Sequence, residues 1–137
     1  MDIKDLLKSL REHEGYVPTV YKDSLGIETI GYGFAIKDLN LSETVCNVII
    51  MEKILGLIIE IPARFPWFMN LPSEAQNIVM EMCYQLGVAG FAKFRKTIDY
   101  LSHGEYENAA VEMLDSGWAK QTPKRAKTLS NRLKLVK

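Results

Sequence analysis

Residues 11–33, REHEGYVPTVYKDSLGIETIGYG, decide the fold, because within them the hydrophobic period changes from helical to extended. Just upstream, Ile3, Leu6, Leu7 and Leu10 recur at i, i+3, i+4 and i+7, which predicts an amphipathic helix over 2–13 with Glu14 at its C-terminal end. Beyond Gly15, VPTVY and ETIGYGFAI are rich in β-branched and aromatic residues. Asp23, Ser24 and Gly26 supply turn chemistry between them, so residues 16–36 read as a small antiparallel sheet.

The same stretch holds the chain's most suggestive chemistry. Glu14, Asp23 and Thr29 lie nine and six positions apart, across a helix end and a Gly-rich hairpin. Hydrolysis of a glycosidic bond needs one carboxyl to protonate the leaving oxygen and a second, across the sugar, to activate water. Each residue also has an ordinary use. Glu14 could be a solvated helix-end acid, Asp23 a turn residue bonding its own backbone, and Thr29 a strand former. Gly31 and Gly33 lack the strand-to-helix setting of a phosphate loop and read as hairpin residues that allow close backbone approach.

Working outward, Ser42 and Glu43 open a second helix that runs to about Ile61, where Pro62 is expected to stop it. Its apolar stretch, VIIMEKILGLIIEI at 48–61, is interrupted by Glu52, Lys53 and Glu60 and is too short to span a bilayer, so it reads as a core helix. Pro62, Pro66 and Pro72 punctuate an aromatic segment from which Trp67 and Phe68 would plug a hydrophobic lobe. Further helices are expected at 73–86, 92–102, 105–115 and 123–134, making a helical bundle of the C-terminal part. The chain then reads as one α+β domain, 1–137, of two lobes at about 14–61 and 62–137 that share the long helix, with a substrate cleft between them.

With 47% hydrophobic and 25% charged residues in 137, the composition excludes disorder and fibrous repeats and fits one globular domain. Net charge is zero, but residues 118–137 carry seven Lys or Arg and no acid, a patch that would attract an anionic polymer. Cys46 and Cys83 both sit in apolar surroundings and read as buried free thiols rather than a disulfide framework. His13 and His103 have no partners at ligand spacing, so no metal is assigned. MDIKDLLKSLREHE has no signal-peptide pattern, which points to synthesis in a cytoplasm.

Taken with YQLGVAGF at 84–91 and AAVEMLDSGWAKQTPKRA at 109–126, the opening stretch resembles the phage T4-type lysozymes of glycoside hydrolase family 24, over most of the chain. The resemblance implies a lysozyme-like fold in which helix 2–13 packs on the C-terminal lobe. It implies hydrolysis of the β-1,4 bond between N-acetylmuramic acid and N-acetylglucosamine in bacterial peptidoglycan, with inversion and without cofactor. Glu14 would be the general acid, with Asp23 and Thr29 holding the attacking water. Tyr84 and Gln85 would face the glycan, and Arg125 would orient Glu14. Trp118 is expected to pack beneath the cleft. The chain departs from the family pattern at Phe34, Phe94, Glu112 and Gly117, and it is shorter between Ile36 and Ser42. A phage endolysin of this kind would be a monomer, held in the host cytoplasm until a holin releases it to the wall. The rival readings are an inert wall-binding module and a nucleic-acid binder, the latter resting on the charge of residues 118–137 alone.

Overall fold

The computed structural model describes all residues, Met1–Lys137. Helix α1, Ile3–Glu14, starts where the Asp2 carboxylate accepts hydrogen bonds from the Lys4 and Asp5 amides at 2.9 and 3.2 Å. It stops at Gly15, whose φ of +68° a side chain would resist and whose N–H donates to the Arg11 carbonyl at 3.0 Å. The cap therefore fixes Glu14 as the last helical residue. Three antiparallel strands follow in the order β1 (Val17–Lys22), β2 (Glu28–Gly31) and β3 (Phe34–Ala35). Thr29 sits at the centre of the sheet, opposite Tyr21 on one side and Ala35 on the other. The expected run ETIGYGFAI is thus two strands, because Gly31 and Gly33, with φ of +69° and +71°, turn the chain between them.

After a 3-10 turn at Ile36–Asp38, helix α2 spans Glu43–Arg64 and continues through Pro62 rather than ending before it. Proline removes the N–H that would donate to the Ile58 carbonyl, but its fixed φ is already helical, and the helix closes three residues later with the Phe65 amide donating to the Ile61 carbonyl at 2.7 Å. A 3-10 turn at Pro66–Asn70 leads to α3 (Ser73–Phe91), α4 (Arg95–Ser102), α5 (Tyr106–Glu112), α6 (Gly117–Gln121) and α7 (Pro123–Lys134). Helix α3 is broken at Gly87, where φ is +74° and ψ 160°, so the expected end near 86 is a break followed by one more helical turn. Short α6 falls where a loop was expected before QTP; Ser116 caps it, its hydroxyl accepting from the Ala119 amide at 3.1 Å. No helix is long and apolar enough to cross a membrane.

The chain divides into two compact units, Met1–Cys46 and Asn47–Lys137, with the boundary inside α2. All buried apolar residues belong to the second unit. Phe91 stands at the centre of an aromatic row, edge-on to Phe65 at 5.6 Å and stacked with Phe94 at 6.3 Å, with Ile78, Val79, Met82, Met113 and Leu129 buried in the same core. Phe68 is buried there and Trp67 packs against it, as the sequence suggested. Each such side chain contributes about 1.5–3 kcal/mol by leaving water.

Two expectations are corrected. Helix α2 is not a core helix: only Ile61 is buried, Ile54 and Leu57 are partly covered, and Val48, Met51, Leu55 and Ile59 face solvent. A helix apolar on all sides carries no periodic signal to say which face turns inward. Cys46, on that helix, is exposed for the same reason, whereas Cys83 is buried and free. Burial, with Glu60 as the lesser cause, pushes the Cys83 thiol up to about 12.

Candidate active site

Within Met1–Cys46 the candidate catalytic residues are held by backbone rather than by a core. Asp23 lies in the β1–β2 turn, where its Oδ1 accepts hydrogen bonds from the Leu25 and Ile27 amides, both at 2.9 Å. Its own N–H donates to the Ile27 carbonyl at 3.0 Å, and Gly26 closes the turn onto the Asp23 carbonyl at 2.9 Å. Thr29 is 4% exposed, and its hydroxyl donates to the same Ile27 carbonyl at 2.8 Å. One residue, Ile27, therefore anchors both side chains, the Asp23 carboxylate through its N–H and the Thr29 hydroxyl through its carbonyl. The turn reading of Asp23 and the strand reading of Thr29 are both realised, and neither uses up the group. Asp23 keeps Oδ2 and Thr29 keeps its oxygen lone pairs, so each can accept a hydrogen from water.

Glu14 reaches this hairpin from α1. A methyl group built on Gly33 would come within 3.1 Å of the Glu14 Cδ and closer still to Oε2, so the carboxyl rests against bare backbone in the β2–β3 turn. Two ring contacts accompany it. The Arg11 guanidinium lies 6.0 Å from the centre of the Tyr32 ring, and Tyr16 packs on Tyr32 at 5.6 Å. Thr29 thus lies within the three-stranded sheet, Asp23 in its first turn, and Glu14 against its second. His13, by contrast, pairs with Ser9 across a helical turn at 3.3 Å, which gives it no part in a dyad with Glu14.

Tyr84, Gln85 and Arg125 lie in the second unit. Tyr84 is 42% exposed, and the Lys53 ammonium sits 5.8 Å from its ring centre. Tyr84 and Arg125 share the rim of a groove of about 560 Å³ whose walls include Ile54, Leu57 and Met80. Gln85 is tied inward: its Oε1 accepts from the Trp118 indole N–H at 2.9 Å, which leaves the amide NH₂ free to donate. Trp118 is buried, edge-on to Phe94 at 5.9 Å, and packs as expected. A larger concavity of about 710 Å³ has Phe94 and Trp118 on its floor and Lys93, Arg95, Glu112 and Asp115 around it.

Sequence reasoning missed the charged cluster beside Arg125. Arg132 donates to Glu74 at 2.6 Å and to Glu81 at 2.8 Å, and the Arg125 guanidinium lies 4.0 Å from the other oxygen of Glu81. The hydrogen bond from Arg132 holds the Glu74 carboxyl below its ordinary range, and the two acids raise Arg132 in turn. The spacing of Glu74 and Glu81 along one helix was the available sign of a shared cation, but nothing local identified Arg132 as that cation.

A small sheet carrying two anchored polar groups and a helix-end carboxyl, in a chain that also holds a helical core, is consistent with a lysozyme-type glycoside hydrolase. The phage lysozyme family model matches residues 11–134, and the chain belongs to that family. Among relatives, it is 28% identical over 153 aligned residues to the probable T4-type lysozyme 1 of Dictyostelium discoideum, covering 90% of this chain and 88% of that protein. It is 33% identical over 57 residues to the probable T4-type lysozyme 2 of the same organism, a match that spans 42% of this chain and 34% of the relative.

Proposed function

We propose that this lysozyme hydrolyses the β-1,4 bond between N-acetylmuramic acid and N-acetylglucosamine in bacterial peptidoglycan, with inversion at the anomeric carbon. Glu14 protonates the leaving oxygen, and Asp23 with Thr29 holds the attacking water on the opposite face of the sugar. The observation that carries this reading is the joint anchoring of Asp23 and Thr29 to the backbone of Ile27, which fixes two candidate acceptors to one residue. An inverting pair is separated by roughly 6.5–9.5 Å to admit that water.

Tyr84, Gln85 and Arg125 serve the substrate side. An exposed ring, a free amide NH₂ and a guanidinium on the second unit suit a glycan, and Arg125 would orient Glu14 from there. In this reading 1–137 is a single domain with lobes at about 14–61 and 62–137. Helix α1 carries an apolar face, Ile3, Leu6, Leu7 and Leu10, each about half exposed, that calls for a cover. The basic residues 118–137 steer the enzyme to an anionic wall. As an endolysin it would act as a monomer, reaching the wall from the host cytoplasm with the help of a holin, and cytolysis would follow.

The test is clearing of purified peptidoglycan, with the product anomers followed by NMR. Wild type should release reducing ends of inverted configuration. Glu14→Gln and Asp23→Asn should each lower the rate by roughly 10²–10⁴-fold with unchanged melting temperature. Retained lysis in both variants, or wall binding with no reducing ends from wild type, would overturn the reading, the latter in favour of an inert wall-binding module.

A further inference from the structure

We infer that Gly33 is a positioning residue for Glu14, and that the site requires glycine there because the carboxyl occupies the place of the missing side chain. The inference rests on the reading of Glu14 as the general acid. Gly33 carries φ of +71°, as five other glycines carry positive φ, so left-handed backbone alone does not set it apart. What differs is the surrounding space. A Cβ on Gly15, Gly26 or Gly87 would meet nothing within 4 Å, and one on Gly104 would meet only the Tyr106 hydroxyl at 3.9 Å. On Gly31 it would meet the ring of Phe34, which is about half exposed and can swing into solvent. At Gly33 alone the obstructed atoms are those of a carboxyl with a chemical task.

The physical consequence separates stability from catalysis. Glu14 is exposed, and its carboxyl is the far end of a flexible side chain, so a methyl group at residue 33 displaces it at little steric cost to the fold. The displacement still moves the proton donor, and misplacement of a reacting group by about 1 Å costs on the order of 10²-fold in rate. The neighbouring contacts, Arg11 over Tyr32 and Tyr16 against Tyr32, keep the helix end and the turn together, so the carboxyl must yield rather than the backbone.

Gly33→Ala tests this against Gly104→Ala, which bears the same left-handed strain without the obstruction. Both variants should melt lower by similar amounts. Gly33→Ala alone should lose roughly 10²-fold in kcat, with KM unchanged. In carbon-13 spectra, the Glu14 carboxyl resonance, assigned by its loss in Glu14→Gln, should move in Gly33→Ala and stay in place in Gly104→Ala. Wild-type kcat in Gly33→Ala, or an unmoved Glu14 resonance, would overturn the inference. If wild type releases no reducing ends, the proposed reaction fails, and the resonance by itself decides whether Gly33 positions the carboxyl.

Discussion

Residues 1–46 and 47–137 are built on different physics. In the second unit, stability comes from burial around Phe91, Met82 and Leu129, with Ser130, which is buried there together with Thr97, donating to the Ala110 carbonyl at 2.7 Å. In the first, Thr29 is the sole buried side chain, and order comes from caps, turns and left-handed glycines. A hydrophobic core tolerates exchange of one apolar residue for another of like volume. A turn whose hydrogen bonds converge on the backbone of one residue, Ile27, does not tolerate changes to the residues that bond it. The contrast places strict geometry where the candidate chemistry lies and cohesive energy elsewhere.

The sharpest way to break this contrast is a pair of substitutions read by both calorimetry and wall clearing. Phe91→Ala should cost about 3–5 kcal/mol of stability, while the protein that remains folded keeps its specific activity. Thr29→Val should cost about 1 kcal/mol for the lost hydrogen bond to Ile27, and should remove most of the activity. Equal stability losses in the two variants would erase the distinction between the units.

Smaller effects sharpen the picture of the helical unit. Arg132→Met should lower the melting temperature slightly near neutral pH, as loss of a partly exposed ion-pair network does. Because Arg132 lowers Glu74, the stability it confers is present above the ordinary carboxyl value of 4.5 and is lost as pH falls through the depressed folded value. Melting temperatures of wild type and variant should therefore converge on acidification. Last, with no change to the sequence, a thiol reagent should label Cys46 in the folded protein, while Cys83, buried and with its thiol raised to about 12, should react only on unfolding.

Much of this was legible from residue order, because much of it is local. The apolar spacing of Ile3, Leu6, Leu7 and Leu10 marks α1, the change of period after Gly15 marks the sheet, and Asp23 with Gly26 marks the first turn. The identities of Glu14, Asp23 and Thr29 as candidates came from the same short window. Such features depend on contacts a few residues apart, and sequence displays those directly.

Tertiary structure decided what depends on partners far along the chain. It exposed most of α2 and with it Cys46, although both read as buried. It joined Gln85 to Trp118 and Arg132 to Glu74, pairs 33 and 58 positions apart. It also brought the Glu14 carboxyl against Gly33, giving a hairpin glycine a neighbour that the hairpin itself does not predict. Periodicity states that a face is apolar or a residue small; which surface covers that face, and which group fills that space, is set only when distant segments pack.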